Sequence, residues 1–145
     1  HVAHNSNFGD YIVVSSFSGV AGHVTVEDHA VIGAMSGVHQ FVKIGAFAMI
    51  GGMSKIVQDV CPFVIADGNP ARVVGLNAVG IARNKIPAES KSALKKAYRL
   101  IFRSGLKLND AIQEMEQELP STPEIEHLLR FLRNCDRGLC RTRDR

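Results

Sequence analysis

Large aliphatic or aromatic residues recur at every sixth position through the first sixty residues of the chain. The residue after each of them is mostly small, and the residue four positions after it is small or β-branched. This period fits neither an α-helix, which repeats about every 3.6 residues, nor a hairpin sheet, which turns about every 8 to 12 residues. The ten positions of the series are Val2, Phe8, Val14, Val20, Val26, Ile32, Val38, Ile44, Ile50 and Ile56.

A hexapeptide repeat of this kind predicts a parallel β-helix, in which each hexad forms one flat side of a prism. With three hexads per turn, residues 18 apart stack on successive coils and bury their inward side chains against each other. Ten hexads make about 3.3 coils, or a solenoid about 16 Å tall at about 4.8 Å per coil. Two chemically matched columns result: Val2, Val20, Val38 and Ile56, and Ser18, Ser36 and Ser54.

Beyond Pro62 the hexads stop and helical spacing replaces them. Pro87 and Thr122–Pro123 are suitable helix starts and Gly105 a suitable stop, so we predict three amphipathic helices of about 10 to 16 residues. The segment 69–84 before them has room for a short helix. The predicted fold class is therefore mainly β: a hexapeptide-repeat parallel β-helix over residues 1–62, then a connecting segment and a C-terminal α-helical domain over 63–145.

Composition agrees with a folded domain and excludes several classes of protein. The 145 residues are 46% hydrophobic and 21% charged, which argues against long disorder. We expect no membrane insertion or secretory signal, because no apolar run approaches about 20 residues and the first residues lack a basic stretch followed by an apolar one. The net charge of +3 is too small to favour a nucleic-acid partner.

The charges also divide near Pro62, with two basic and four acidic residues before it and 15 basic and 10 acidic residues after it. The three cysteines, Cys61, Cys135 and Cys140, are odd in number and lack zinc-site spacing. They predict buried or incidental thiols in a reducing compartment, the cytoplasm. Because the chain begins at His1 in the middle of the repeat, we expect it to be the C-terminal part of a longer protein.

Most histidines lie on one predicted edge of the prism. Because residues 18 apart stack, subtracting multiples of 18 from each residue number gives its column in the prism. Five residues fall on neighbouring columns: His1, His4, His23, His39 and Gln40. Gly22 stacks between His4 and Gln40, whereas His29 falls on another side. Such a line of imidazoles indicates a function. An imidazole has an ordinary pKa of about 6.5 and therefore suits general base catalysis. Zinc binding would instead need three imidazoles within about 2.1 Å of one ion.

Several longer motifs carry a resemblance to a known family. They are HVAHN at 1–5, VAGHV at 20–24, GVHQF at 37–41, IGGMS at 50–54, QDVCPFVIADGNPARVVGLN at 58–77 and AYRLIFRSG at 97–105. In this order, over essentially the whole chain, they resemble the UDP-N-acetylglucosamine O-acyltransferases of lipid A, and hence lipopolysaccharide, biosynthesis. The resemblance implies a left-handed parallel β-helix that forms a homotrimer, with active sites in the clefts between adjacent prisms.

The resemblance also implies a reaction. A 3-hydroxyacyl group would pass from acyl carrier protein to the 3-hydroxyl of UDP-N-acetylglucosamine, with no cofactor, no metal and no covalent enzyme intermediate. His4 matches the general base, and the backbone N–H of Gly22 matches the oxyanion donor. Gly52 matches the position that limits acyl length, where glycine implies a long chain. The residues that match the substrate-binding positions are His1, His23, His39, Gln40, Asn77 and Arg83.

The chain departs from the family pattern at three positions. Asn5 replaces an Asp after the matched histidine; it can accept a hydrogen bond from the imidazole but carries no charge to stabilise imidazolium. Val79 stands at an acidic position, and Asn84 replaces the second residue of a basic pair. We therefore expect the nucleotide contacts to differ most from those of the family.

Three alternatives remain from the sequence. A zinc carbonic anhydrase built on a β-helix would need ligands on neighbouring coils at a spacing that these histidines do not match. The N-acyltransferase of the same pathway acylates an amine of a UDP-acyl-glucosamine and also has a His-Asn pair; GVHQF at 37–41 and the long helical region argue against it. A scaffold without activity does not explain the histidine edge.

Overall fold

The computed structural model describes residues 1–135 and 138–143, and within them the repeat region is a three-sided parallel solenoid. Its nine short strands are β1 Asn7–Phe8, β2 Val13–Val14, β3 Gly19–Val20, β4 Thr25–Val26, β5 Val31–Ile32, β6 Gly37–Val38, β7 Lys43–Ile44, β8 Met49–Ile50 and β9 Lys55–Ile56. Every third strand pairs in parallel, as in β3-β6-β9, with partners such as Gly19 and Gly37 that are 18 residues apart. The predicted parallel β-helix of three hexads per turn is confirmed.

The interior of the solenoid follows the two predicted columns. From Val20 onward, every aliphatic residue of the six-residue series is buried, whereas Val2 in the first coil is 46% exposed. Ser18, Ser36 and Ser54 are buried too. Their hydroxyls link the coils, because the Ser18 hydroxyl accepts from the Ser36 N–H at 3.3 Å and the Ser36 hydroxyl accepts from the Ser54 N–H at 3.2 Å. The buried hydroxyls are thus hydrogen-bonded, which removes the cost of their burial.

The corners of the prism have an unusual backbone conformation. Residues at a period of six have φ between 57° and 67° although none is glycine: Asn5, Tyr11, Phe17, His23, His29, Met35, Phe41, Phe47 and Met53. None is β-branched, in line with the steric cost of positive φ for such side chains. His29 stacks between Tyr11 and Phe47 at centroid distances of 4.9 and 4.7 Å. This histidine therefore lies on a different edge from the others, as predicted.

After the hexads, a hairpin extends one side of the solenoid. Strand β10, Val64–Gly68, pairs in parallel with β8 and antiparallel with β11, Ala71–Leu76. The solenoid stacking thus continues for one strand beyond Pro62, the predicted boundary. The division into domains 1–62 and 63–145 stays a prediction, and residues 136, 137, 144 and 145 of the second lie outside the described residues.

The predicted helices are all present. They are α1 Ala78–Arg83, α2 Ala88–Phe102, α3 Leu108–Glu118 and α4 Pro123–Arg133. Thr122 caps α4 by accepting the Ile125 N–H at 3.2 Å, with Pro123 in the first turn. Their apolar faces join the solenoid interior in one buried cluster. In the described part of the chain, no helix is long and apolar enough to cross a membrane.

The thiols match the prediction of buried or incidental cysteines. Cys61 and Cys140 are buried and free, and Cys135 is half-buried. Burial raises the pKa of the Cys61 thiol, so that it stays protonated at neutral pH. A protonated, buried thiol is a poor nucleophile.

Helix α4 is attached to the solenoid by a carboxylate. One oxygen of Glu27 accepts the Ala46 N–H at 2.9 Å and lies 2.9 Å from Nε2 of His127. On the same side, the Lys43 ammonium donates to the Asn134 carbonyl at 2.6 Å. The hydrogen bond to Glu27 raises the pKa of His127, against the opposing effects of partial burial and of Arg130.

This contact predicts a pH-dependent stability. Because the pKa of His127 is raised in the folded state, the contact stabilises fully below the unfolded value of about 6.5 and is lost as the pH rises through the folded-state value. We expect the loss of unfolding free energy in His127→Gln to be largest at mildly acidic pH, between about 5 and 6, and to shrink as the pH rises. Urea unfolding at a series of pH values measures it, and a pH-independent difference would contradict the assignment.

Candidate active site

His4, Gly22 and Gln40 occupy one corner on three successive coils. Backbone hydrogen bonds join the three coils at this corner: the His23 N–H donates to the His4 carbonyl at 3.3 Å, and the Phe41 N–H donates to the Gly22 carbonyl at 3.4 Å. His4 is exposed. A Cβ added to Gly22 would lie 3.1 Å from the His4 carbonyl oxygen, so the glycine permits a close approach of the two coils. The predicted stacking of His4 over Gly22 is therefore present in the backbone.

The Gly22 N–H is a suitable donor to an anionic oxygen. No protein acceptor for it exists within residues 1–135 and 138–143. Two backbone amides at the equivalent corner position already bind carboxylates: the Asp10 N–H donates to Asp28 at 2.7 Å, and the Ala46 N–H donates to Glu27 at 2.9 Å. The corner geometry thus presents an outward N–H to a negatively charged oxygen, as an oxyanion donor requires.

An open groove of about 640 Å³ runs along the adjoining flat side, the side of β3, β6 and β9. We call it the glycine-floored groove, and it is lined by His1, Ala3, Gly19, Val20, Ala21, Gly37, Val38, His39, Gln40 and Lys55. Three of the predicted substrate-binding residues, His1, His39 and Gln40, therefore border one cavity. The lining also includes Lys55, which the sequence reasoning missed although it lies 18 residues beyond Gly37 in the column of His1.

The other predicted substrate-binding residues lie elsewhere in the chain. His23 is a corner residue whose ring stacks on Phe41 at 4.9 Å. Asn77 is buried, donates to the Phe47 carbonyl at 2.8 Å and accepts the Gly80 N–H at 3.1 Å at the start of α1. Arg83 is exposed in the last turn of α1. The contacts of Asn77 give it a structural role in this chain, and a substrate contact by any of the three stays a prediction.

Gly52 lies at the opposite corner of the grooved side. It is exposed, and an added Cβ would lie 3.3 Å from the Ala34 carbonyl oxygen. Position 52 belongs to the corner column of Ser16 and Ala34, whereas His4 belongs to the other corner. A single chain therefore places the predicted general base and the predicted acyl-length residue on separate edges.

The expected hydrogen bond between the His4 imidazole and the Asn5 side chain is absent from the described part of the chain. Asn5 has φ 62° as a corner residue, and among the described residues no hydrogen bond joins its side chain to the His4 imidazole.

Possible metal ligands do not cluster in the described part of the chain. Across the part of the chain that the structure describes, no group of three His, Cys, Asp or Glu side chains is placed to hold an ion.

The family model for UDP-N-acetylglucosamine O-acyltransferase, domain 2, matches residues 59–140, more than half of the chain. The chain belongs to the UDP-N-acetylglucosamine O-acyltransferase family. A curated relative within this family, the acyl-[acyl-carrier-protein]–UDP-N-acetylglucosamine O-acyltransferase of Thermodesulfovibrio yellowstonii, is 50% identical over 97% of the chain and 55% of its own length. The chain thus spans about half the length of the curated relatives that it matches.

Solved O-acyltransferase structures match the fold. LpxA from Acinetobacter baumannii has a TM-score of 0.92 at 42% identity, over 96% of this chain and 54% of its own. The UDP-N-acetylglucosamine O-acyltransferase from Moraxella catarrhalis has a TM-score of 0.91 at 43% identity, over 97% of this chain and 55% of its own. The resemblance inferred from the motifs is confirmed at the level of family and fold.

Proposed function

We propose that the full-length protein transfers a 3-hydroxyacyl group from acyl carrier protein to the 3-hydroxyl of UDP-N-acetylglucosamine. Membership of the O-acyltransferase family supports this reaction. The observation that carries the proposal is the corner where the exposed His4 stacks on Gly22, whose N–H has no acceptor among the described residues. A base and an oxyanion donor are the two groups that an acyl transfer to a hydroxyl requires.

In the proposed mechanism, the His4 imidazole removes the proton of the sugar hydroxyl while its oxygen bonds to the thioester carbonyl carbon. The carbonyl oxygen becomes an oxyanion and accepts a hydrogen bond from the Gly22 N–H. Collapse of the tetrahedral intermediate breaks the carbon–sulfur bond, and the imidazolium returns its proton to the leaving thiolate. These bond and proton changes need no cofactor. His1, His23, His39, Gln40, Asn77 and Arg83 are proposed to line the sugar-nucleotide and acyl sites.

A homotrimer is part of this proposal. Phe17, Met35 and Met53 form an apolar ridge along the corner beside Gly52, with exposures of 90%, 56% and 68%. Large exposed apolar patches favour association. If an adjacent copy packs against this ridge, Gly52 of one chain approaches the His4 edge of another, which a single chain does not achieve. The cytoplasmic setting predicted from the odd number and the spacing of the cysteines also belongs to the proposal.

The test measures both the preferred acceptor and the mass of the assembled protein. The purified full-length protein should form an ester from 3-hydroxyacyl carrier protein and UDP-N-acetylglucosamine, and light scattering should give the mass of three chains. UDP-3-O-acyl-glucosamine, which offers an amine, serves as the competing acceptor. Amide formation without ester formation would replace the proposal by the N-acyltransferase alternative.

Acyl length gives a separate prediction at Gly52. Its backbone tolerates a side chain, since only the Ala34 carbonyl, 3.3 Å from an added Cβ, has to move slightly. We expect Gly52→Met to shift preference to shorter donors by about fourfold for each excluded methylene, or about 0.8 kcal/mol of lost burial. Competition between long and medium acyl donors measures the shift. Ser16→Met, on the same corner two coils away, is the control; equal shifts in both variants, or none, would contradict the role of Gly52.

A further inference from the structure

The floor of the glycine-floored groove is a column of four residues with a charged end. His1, Gly19, Gly37 and Lys55 follow one another on successive coils, as the pairs Gly19–Gly37 and Gly37–Lys55 show. At about 4.8 Å per coil, the column from His1 to Lys55 is about 14 Å long. The two middle positions have no side chains, so the residues at both ends face an unobstructed strip.

Packing does not explain the two glycines. A Cβ added to Gly19 or Gly37 would meet nothing within 4 Å, whereas one added to Gly33 or Gly45 would approach backbone atoms to 2.6 or 2.3 Å. Glycine also weakens a strand relative to alanine by about 0.5 to 1 kcal/mol. The glycines of the floor therefore leave space that the fold itself does not need, which is typical of a surface that a ligand approaches closely.

Lys55 brings an uncompensated positive charge to this space. Its side chain is exposed, and no carboxylate lines the groove. Among the described residues, no salt bridge involves its ammonium group. A lysine ammonium is a compact charge on a flexible stem, and it binds phosphate as a point charge. His39 and Gln40 on the groove wall supply further hydrogen-bonding groups.

We infer that Lys55 binds a phosphate group of a substrate that lies over Gly37 in the glycine-floored groove. The inference rests on the proposed function, in which both substrates carry phosphates: the diphosphate of the UDP-sugar and the phosphodiester of the carrier's prosthetic arm. Lys55 lies two coils from Gly22, or about 10 Å along the axis. It therefore anchors the substrate at a distance from the reacting atoms and takes no part in proton transfer.

Four full-length proteins test this role: wild type, Lys55→Gln, Lys55→Arg and the control Lys107→Gln, whose exposed lysine lies before α3 and far along the chain from the groove. Lys55→Gln should raise the KM of one substrate about tenfold, equivalent to about 1.4 kcal/mol. Its kcat should stay within about twofold, as expected when ground-state and transition-state binding are lost equally. Lys55→Arg should recover most of the loss, and Lys107→Gln should change neither KM.

The substrate whose KM rises identifies the phosphate group that Lys55 binds. A raised KM for UDP-N-acetylglucosamine assigns the nucleotide diphosphate, and a raised KM for the acyl carrier assigns the prosthetic phosphodiester. Unchanged KM values in Lys55→Gln would overturn the inference, as would an arginine variant as defective as the glutamine variant.

Calorimetry with UDP and with 4′-phosphopantetheine keeps this test independent of turnover. If the wild-type protein transfers no acyl group, the proposed function fails, but weaker binding of either probe by Lys55→Gln still supports the phosphate site. Equal binding of both probes by wild type and Lys55→Gln, or binding of neither, overturns the site.

Discussion

His4→Ala should reduce acyl transfer by about 10²- to 10⁴-fold, the usual contribution of a general base. The exposed ring makes little contact with the core, so the variant should fold and assemble like the wild type. The loss should appear in kcat and in kcat/KM alike, because proton removal stabilises the transition state and contributes little to substrate binding. Steady-state kinetics of the full-length protein with acyl carrier and UDP-N-acetylglucosamine measures it.

His29→Ala is the matched control for this prediction. His29 is also a histidine of the repeat at a prism corner, but it stacks between Tyr11 and Phe47 on a different edge. Its removal should lower stability slightly through the lost ring contacts and leave turnover nearly unchanged. Near-normal turnover by His4→Ala, or equal losses in the two variants, would remove His4 from the mechanism.

Gly45→Ala should destabilise the protein by about 3 kcal/mol or more, because the site has no room for a methyl group. The added Cβ would lie 2.3 Å from the nitrogen and 2.5 Å from the ring Cδ of Pro62. Backbone and ring atoms there have to move, since no flexible side chain is present to give way. Urea unfolding at one fixed protein concentration measures the change, because the proposed trimer would make stability depend on concentration.

Gly37→Ala tests whether the effect comes from packing. Its Cβ would meet nothing within 4 Å, and its strand conformation suits alanine, so stability should stay the same or rise by about 0.5 kcal/mol. Equal destabilisation by both substitutions would show that the loss reflects glycine in general and not contact with Pro62.

The architecture of the repeat region was predictable from the pattern of residues alone. The period of six and the stacking at 18 residues follow from the aliphatic series and the serine column, and both hold in the structure. The helices were equally predictable, because the apolar spacing of each and the cap at Thr122 are local signals in the sequence. Stacking of His4 on Gly22 was predictable for the same reason: in a solenoid, position within the repeat determines position in space.

Contacts between residues distant in the sequence could be found only from the tertiary structure. Glu27 and His127 are 100 residues apart and meet only because α4 packs against one side of the prism. Asn77 became a buried cap of α1 bonded to Phe47, a use of its amide that the motif did not reveal. The small residue after Ile44 was visible in the sequence, yet only the structure shows that contact with Pro62 requires glycine at position 45, whereas Gly37, before Val38, has open space beside it. Such contacts depend on how distant segments pack, and their energies come from shape and desolvation at each site, which local sequence patterns do not specify.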